Sequence, residues 1–308
     1  MGRSRFLLLT AAAIVAVMTG APIATAEPAS TLKTVDAARL QAVVDAAAAD
    51  LLVPGAFVLL RTPQGEFTAS VGTTELGTTT PPAPDTHFRI ASNTKTMTAA
   101  VMDADPAKAW TPQEVLALAY AHPPLFAPGA EYDYSNTNYA LLGLVAEQVG
   151  EAPLAVQFQQ RLFIPLELTQ TYLPANTDTV LPQPFSHGDM YGGSTYALVD
   201  ADYPADMQAA ALDGSLLPVD YTHQSASYAT AAGGAVSTAG DLGTWISALV
   251  SGRLFDTATQ QQWLGSLIAE DPDAPDGQEY GYGISYQRFG PHAAMYYHGE
   301  CPAARSAA

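Results

Sequence analysis

Residues 88 to 95 read Phe88-Arg89-Ile90-Ala91-Ser92-Asn93-Thr94-Lys95. Ser92 and Lys95 are three positions apart, and residues with that spacing lie on the same face of a helix. A serine hydroxyl needs a base beside it to act as a nucleophile near neutral pH. A lysine amine in a poorly solvated site has a lowered pKa and can serve as that base. The stretch therefore predicts a nucleophile, Ser92, and its base, Lys95.

The serine–lysine spacing is not specific by itself, because Ser30-Thr31-Leu32-Lys33 has it too. The earlier pair follows what reads as a cleaved leader, in a part of the chain where ends tend to fray. No strand pattern precedes it, and no apolar flank could bury its lysine. Such a pair more commonly marks a solvated lysine on a helix surface, so Ser92 needs support from elsewhere in the chain.

That support comes from a second motif, which reads Tyr132-Asp133-Tyr134-Ser135-Asn136-Thr137-Asn138-Tyr139. It contains the only Tyr-x-Asn of the chain, Tyr134-Ser135-Asn136. An apolar run typical of a helix follows, with Asn138 as its predicted N-cap and Gly150 as its predicted end. A phenol held at the start of such a helix can relay protons, and a carboxamide can hold the acyl side of a substrate.

Together the two motifs resemble those of the serine β-lactamase-like and penicillin-binding family. That family includes class C β-lactamases, D-alanyl-D-alanine carboxypeptidases, and related esterases and D-aminopeptidases, and the chain is most similar to the secreted carboxypeptidases. The resemblance extends with gaps over residues 54–299. Further stretches that carry it are Ala127-Pro128-Gly129, Ala232-Gly233-Gly234-Ala235-Val236-Ser237-Thr238, Asp241-Leu242, Tyr280-Gly281-Tyr282-Gly283 and Tyr297-His298-Gly299. It implies an α+β fold of the β-lactamase/transpeptidase type, with an antiparallel sheet flanked by helices and a reduced helical subdomain.

The resemblance also implies which residues form the active site. In chain order they are Ser92 as nucleophile, Lys95 as its base, Tyr134 as proton relay, Asn136 as a substrate-holding amide, and His298 with Gly299 on the strand that closes the cleft. Such a hydrolase forms an acyl-enzyme with a small peptide, ester or β-lactam substrate, and water then releases the acyl group. It requires no metal and no organic cofactor.

Three features depart from the family pattern. Tyr134 follows Lys95 by only 39 residues (134 − 95), where relatives have a longer helical segment, and residues 102–106 interrupt the nucleophile's helix with Asp and Pro. Gly299 follows His298 directly, although the usual pattern has one residue between them. The chain also ends ten residues after His298 (308 − 298). These features predict an internal deletion and a truncated C-terminus.

Residues 1–26 read as an export signal, and residues 27–308 as one hydrolase domain. Arg3 and Arg5 give a basic start, residues 6–18 form an apolar core, and Ala24-Thr25-Ala26 fits a small-residue cleavage site. The apolar core is too short for a membrane-spanning helix. We therefore expect a secreted protein without a membrane anchor.

The charge of the chain excludes a nucleic-acid partner. The formal net charge is −18, with only 12 Lys plus Arg among 308 residues, whereas phosphate binding depends on clustered cations. The six histidines show no zinc-type pairing. Cys301 is the one cysteine, so an internal disulfide is excluded. The sequence leaves the oligomeric state open.

Periodicity predicts the order of the main elements. Helices are predicted at 35–52, 110–121 and 154–163, and a further helix after its cap, Thr238. A β-hairpin is predicted over 55–71, and two antiparallel strands over 282–289 and 293–297. Residues 177–228 are expected to be rich in loops and to line the cleft. Strands at both ends around a helical middle predict that the first and last strands share one sheet.

Three other interpretations of the same residues stay open. The first is an esterase of the same family, because the acidic Glu300 after Gly299 disfavours a substrate that carries a carboxylate. The second is a catalytically impaired remnant without a working cleft, suggested by the two missing segments. The third is a cell-wall binding module that holds muropeptides without turnover.

Overall fold

The structure is a computed structural model that describes residues 34–50, 53–89, 111–127, 130, 134–175, 178–191, 204–270, 277–288 and 294–297. Its helices are α1 (Ala37–Asp50), α2 (Pro112–Tyr120), α3 (Asn136–Gly150), α4 (Leu154–Phe158), α5 (Ala205–Leu212), α6 (Thr230–Gly233), α7 (Ala239–Val250) and α8 (Thr257–Leu264). Its strands are β1 (Gly55–Thr62), β2 (Gly65–Gly72), β3 (Phe88–Arg89), β4 (Asp189–Met190), β5 (Val219–Asp220), β6 (Val236–Ser237), β7 (Ile268–Ala269), β8 (Glu279–Tyr280), β9 (Ser285–Arg288) and β10 (Ala294–Tyr297). Within these ranges no helix has both the length and the apolar character that a membrane span needs.

The N-terminal helix and hairpin follow the prediction. Asp36 caps α1, because its Oδ1 accepts the backbone N–H groups of Ala38 at 3.0 Å and Arg39 at 3.2 Å. β1 and β2 form an antiparallel ladder from Gly55 opposite Gly72 to Thr62 opposite Gly65. The two strands are therefore joined by a two-residue turn, which is the connection typical of a tight hairpin.

The C-terminal strands form a four-stranded antiparallel sheet in the order β10-β9-β8-β7. The two predicted strands correspond to β9 and β10. Among the described residues the hairpin is a separate two-stranded sheet, so the single sheet expected from the sequence is not observed there. At the β2 edge the physical reason is a side chain of α1: Gln41 Nε2 donates to the Ser70 carbonyl at 2.9 Å, and Gln41 Oε1 accepts the Ser70 N–H at 3.3 Å. This side chain occupies the outer edge of β2, where another strand would pair.

The main hydrophobic core is built around α7. Thr238 caps this helix as predicted, because its hydroxyl accepts the Asp241 N–H at 3.3 Å. The apolar face predicted from the sequence is buried, and it includes Leu242, Trp245, Ile246 and Leu249. Each such side chain stabilises the fold by about 1.5–3 kcal/mol when fully buried. The core therefore fixes the strand that immediately precedes α7, which is β6.

A smaller group of helices packs beside this core. Thr111 and Glu114 form a capping box at the start of α2, the helix predicted at 110–121. α2 and α3 share a second apolar cluster with α6, and it consists of Val115 and Leu116 of α2, Ala140 of α3 and Ala232 of α6. α4 continues into a π-helical turn, Gln159–Phe163, so the helix predicted at 154–163 has the expected extent. These elements correspond to the reduced helical subdomain.

α3 ends at Gly150 as predicted. Gly150 does not have the left-handed backbone that is typical of a glycine at a helix end. The residue with positive φ is Glu151, at 51°. A Cβ atom on Gly150 would lie 2.1 Å from Gln157 Oε1. Gln157 is buried, and its Nε2 donates to the carbonyls of Ala146 and Ala152 at 2.7 and 2.8 Å. Gly150 therefore makes room for the side chain that caps the end of α3.

In its described part, the segment predicted to be rich in loops contains α5, a 3₁₀ turn at Ala226–Tyr228 and the short β4–β5 ladder. Asp189 lies directly opposite Asp220 in that ladder. Asp220 accepts the Thr222 N–H at 2.7 Å and lies 2.8 Å from His187 Nδ1. Burial first, and then the charge of Asp220, raise the pKa of Asp189, while His187 lowers it to a lesser extent. Like charges directly opposite in a ladder are destabilising, so Asp189 is a weak point of this pair.

We expect Asp189→Asn to stabilise the protein at pH 7. A carboxyl whose folded-state pKa is raised favours folding when protonated, and this contribution is lost as the pH rises through the folded pKa. The variant removes that penalty, so the free energy of unfolding should rise at pH 7 by less than about 1 kcal/mol, because the site is partly solvated. The gain should vanish below the unfolded carboxyl pKa of about 3.9. Urea unfolding at pH 7 and pH 3 measures both values.

Asp213→Asn is a control with the opposite sign. Hydrogen bonds from Ser215 lower the pKa of Asp213, so its contribution to stability is present above the unfolded pKa and is lost as the pH falls through the folded one. That variant should be less stable than the wild type at pH 7. Equal changes for both variants would contradict this account of Asp189.

Candidate active site

The six residues assigned from the sequence divide into two sets. Tyr134 and Asn136 belong to the described part of the chain. The other four lie outside the described residues, and they are Ser92, Lys95, His298 and Gly299. The site is therefore built from Tyr134, Asn136 and the elements that flank the remaining positions.

The strand that leads to Ser92 is anchored in the core. β3 ends at Arg89, three positions before Ser92, and pairs with β6 through Phe88 opposite Ser237 and Arg89 opposite Val236. Both β6 residues are completely buried. Because β6 runs directly into α7, the packing of that helix also fixes the position of β3.

Side chains reinforce this anchor on the far side of β3. His87 is buried, with Nδ1 2.9 Å from the Pro184 carbonyl and Nε2 2.9 Å from Gln170 Oε1. The backbone of His87 also bonds to Pro184 at 2.7 Å. Arg89 Nε donates to the Thr222 carbonyl at 3.2 Å. The loop-rich segment therefore holds residues 87–89 in place.

Tyr134 and Asn136 lie at the start of α3. Ser135 is the N-cap, in an extended conformation with φ −128° and ψ 123° and no side-chain capping bond. The predicted cap, Asn138, is instead an exposed residue of the first turn, so that prediction is wrong. Starting the helix at Asn136 places the carboxamide on its first turn and leaves Tyr134 in the loop before it.

Asn136 has an unusual environment for an amide. Its Oδ1 is shielded from solvent and accepts no hydrogen bond from the part of the chain that the structure describes. Leaving such an acceptor unsatisfied costs about 1–3 kcal/mol, so buried polar atoms of this kind call for an explanation. An oxygen held ready for a donor from a ligand provides one.

Tyr134 packs against Tyr280, a residue to which the sequence motifs assign no role. The rings of Tyr134 and Tyr280 meet edge to face, with centroids 5.5 Å apart and planes at 82°. The Tyr280 hydroxyl lies 2.8 Å from the Tyr139 hydroxyl. Burial raises the pKa of Tyr139, and its hydrogen bond with Tyr280 lowers it by less, so Tyr139 is a neutral phenol at neutral pH. The only sequence signal for Tyr280 was the stretch Tyr280-Gly281-Tyr282-Gly283.

The other side of the site is bounded by the C-terminal sheet. β10 ends at Tyr297, opposite Ser285 of β9. His298 follows immediately in the chain. Ser285 is buried, and Arg288 at the far end of β9 stacks on the Tyr286 ring, with its guanidinium carbon 5.4 Å from the ring centroid. In β9, Ser285 therefore lies opposite Tyr297 and Tyr286 opposite Tyr296, and the arginine of this strand is at its other end.

An antiparallel sheet, a helical subdomain and a Tyr-x-Asn loop at the start of a helix define the β-lactamase/transpeptidase fold. The model of the family described as Beta-lactamase matches residues 40–105 and 102–306. The chain belongs to this family, whose members have the fold of serine hydrolases. The two matched pieces meet at residues 102–105, where the sequence departs from the family pattern.

Solved structures share the fold at low sequence identity. The chain is similar to a D-stereospecific amidohydrolase from Streptomyces sp., with 23% identity, a TM-score of 0.67, and coverage of 85% of this chain and 86% of that one. It is also similar to the D-amino acid amidase from Ochrobactrum anthropi SV3 complexed with L-phenylalanine amide, with 21% identity, a TM-score of 0.70, and coverage of 87% and 86%. A third is the octameric penicillin-binding protein homologue from Pyrococcus abyssi, with 16% identity, a TM-score of 0.62, and coverage of 85% and 67%.

Proposed function

We propose that the protein is an exported serine hydrolase that cleaves peptide, amide or ester carbonyls through an acyl-enzyme. Ser92 attacks the carbonyl, Lys95 takes its proton, and Tyr134 relays a proton to the leaving group. Asn136 holds the acyl side of the substrate, and backbone N–H groups of Ser92 and of the strand after His298 stabilise the oxyanion. The observation that carries the proposal is the buried Oδ1 of Asn136, which has no hydrogen-bond partner within the described ranges and lies two residues from Tyr134 in the chain.

Among possible substrates, we propose small amides and peptides that carry a D-configured residue. Support comes from the fold shared with a D-stereospecific amidohydrolase and a D-amino acid amidase. D-alanyl-D-alanine peptides, β-lactams and simple esters are the other substrates that the resemblance to the family implies. A panel of D- and L-amino acid amides, a D-alanyl-D-alanine peptide, a penicillin and a p-nitrophenyl ester ranks them by kcat/KM.

The decisive experiment is covalent labelling. The purified wild type is treated with a fluorophosphonate or a fluorescent penicillin, and the adduct is read by intact mass and mapped to a peptide. We expect one adduct on Ser92 that is absent from Ser92→Ala and unchanged in Ser30→Ala, the variant of the other serine–lysine pair. The same mass shows whether the protein recovered from the medium begins near Glu27, as export requires.

Three outcomes separate the rival interpretations. An adduct that persists in Ser92→Ala removes Ser92 as the nucleophile. No adduct on a protein that circular dichroism shows to be folded favours the impaired remnant. Equal binding of a muropeptide by wild type and Ser92→Ala, without product, favours the binding module.

A further inference from the structure

Proton relay by Tyr134 requires that the position of its ring be fixed. It lies in the loop before α3, and its residue is 41% exposed. A proton relay must stay within hydrogen-bonding reach of both groups that it serves, and a misplacement of 1 Å can cost about 100-fold in rate. The edge-to-face contact with Tyr280 restricts the ring on its inner side.

Tyr280 is itself held in place by burial and by pairing with two strands. It is only 7% exposed, and its backbone pairs with Ile268 on one side and Ser285 on the other. The turn that follows is tied to α8 and the chain after it: Tyr282 N donates to Ser266 Oγ at 2.9 Å, and Trp263 Nε1 donates to the Tyr282 carbonyl at 2.9 Å.

Gly281 allows the turn after Tyr280 to lie close to Ser266. A Cβ atom at position 281 would lie 2.6 Å from Ser266 Oγ. The absence of a side chain there lets the turn after Tyr280 sit against the segment that follows α8. The turn therefore fixes the end of β8 and with it the Tyr280 side chain.

The Tyr139–Tyr280 hydroxyl pair connects β8 to α3. Tyr139 follows Tyr134 by five positions and packs against the cluster shared by α2 and α3. The 2.8 Å contact between the two hydroxyls fixes the direction of the Tyr280 ring and holds the start of α3 on β8. Tyr134, Tyr280 and Tyr139 thus form a continuous chain of contacts from the loop through the sheet to the helix.

We propose that Tyr280 is a positioning residue for Tyr134: its ring sets the place of the Tyr134 phenol, and its hydroxyl bond to Tyr139 sets the place of its own ring. This inference rests on the proposed function, in which Tyr134 relays a proton. In this role Tyr280 affects the reaction rate through Tyr134, without touching the substrate.

The test is a double-mutant cycle measured on the best substrate of the panel. Tyr134→Phe should lower kcat by about 10²–10⁴-fold. Tyr280→Leu, which removes the ring contact, should lower kcat by about 10- to 100-fold with little change in KM. In the Tyr134→Phe background, Tyr280→Leu should cost less than about 2-fold, because the hydroxyl that it positions is already gone.

Matched variants separate positioning from a general effect on folding. Tyr282→Leu replaces a neighbouring tyrosine that is 73% exposed, and it should leave kcat unchanged. Tyr280→Phe and Tyr139→Phe break the same hydroxyl pair without removing a ring, so they should lower kcat by the same small factor. If Tyr280→Leu does not fold, the cycle is run with Tyr280→Phe.

The outcomes distinguish this inference from the function on which it rests. Additive losses in the double variant, in either cycle, overturn the positioning role while leaving the hydrolase intact. Wild-type activity of Tyr134→Phe overturns the relay role in the proposed function, and the inference with it. A loss in Tyr280→Leu that appears in KM rather than kcat also contradicts positioning.

Discussion

Lys95→Met is expected to slow acylation of Ser92 by about 10²–10⁴-fold, the usual contribution of a positioned general base. Methionine keeps an unbranched apolar side chain of similar length, so the packing of the variant should change little, while the amine that accepts the serine proton is lost. The rate of adduct formation with a fluorophosphonate, followed by intact mass, measures the effect without requiring knowledge of the natural substrate.

The chain supplies a matched control for this variant. Lys33 stands three residues after Ser30, just as Lys95 stands three residues after Ser92. Lys33→Met should therefore label at the wild-type rate. Equal rates for Lys95→Met and the wild type would show that another group activates Ser92, and they would leave the Tyr134 phenol as the next candidate base.

Elements fixed by local chemistry were predictable from the sequence. The cap at Thr238 and the repeating apolar positions of α7 all lie within about a dozen consecutive residues. Capping and periodicity therefore identify this helix without knowledge of what packs against it. The same holds for α2 and for the hairpin of β1 and β2. These elements position the site, because the burial of α7 anchors β6 and hence the strand that leads to Ser92.

Contacts between distant parts of the chain were not predictable in this way. Tyr139 and Tyr280 are 141 positions apart, and no local pattern relates them. The start of α3 shows a limit of local preference. Serine and asparagine are both favoured caps, so the local pattern could not separate Asn138 from Ser135, which is the observed N-cap. The edge protection of β2 by Gln41 also escaped prediction, because a side chain rather than a strand provides it.

Asn136→Leu is expected to affect activity and stability in opposite directions. Removing the carboxamide should lower kcat/KM by about 10- to 100-fold, since one hydrogen bond to the substrate is lost from a shielded site. The free energy of unfolding should stay the same or rise by about 1 kcal/mol, because the variant replaces a buried acceptor that has no partner among the described residues with an apolar group of similar shape. Kinetics on the best substrate and urea unfolding of the same preparation give the two numbers.

The opposite signs make this variant more informative than a loss of activity alone. Asn138→Leu is the control, because Asn138 is an exposed residue of the same helical turn and should change neither quantity appreciably. If Asn136→Leu lowered stability by more than about 1 kcal/mol, the amide would be satisfied within the folded protein, and its environment would no longer indicate a ligand. If both stability and kcat/KM were unchanged, Asn136 would have no part in substrate binding. A more stable and less active variant is the result expected of a polar atom that is kept unpaired for a ligand, at a cost in folding free energy.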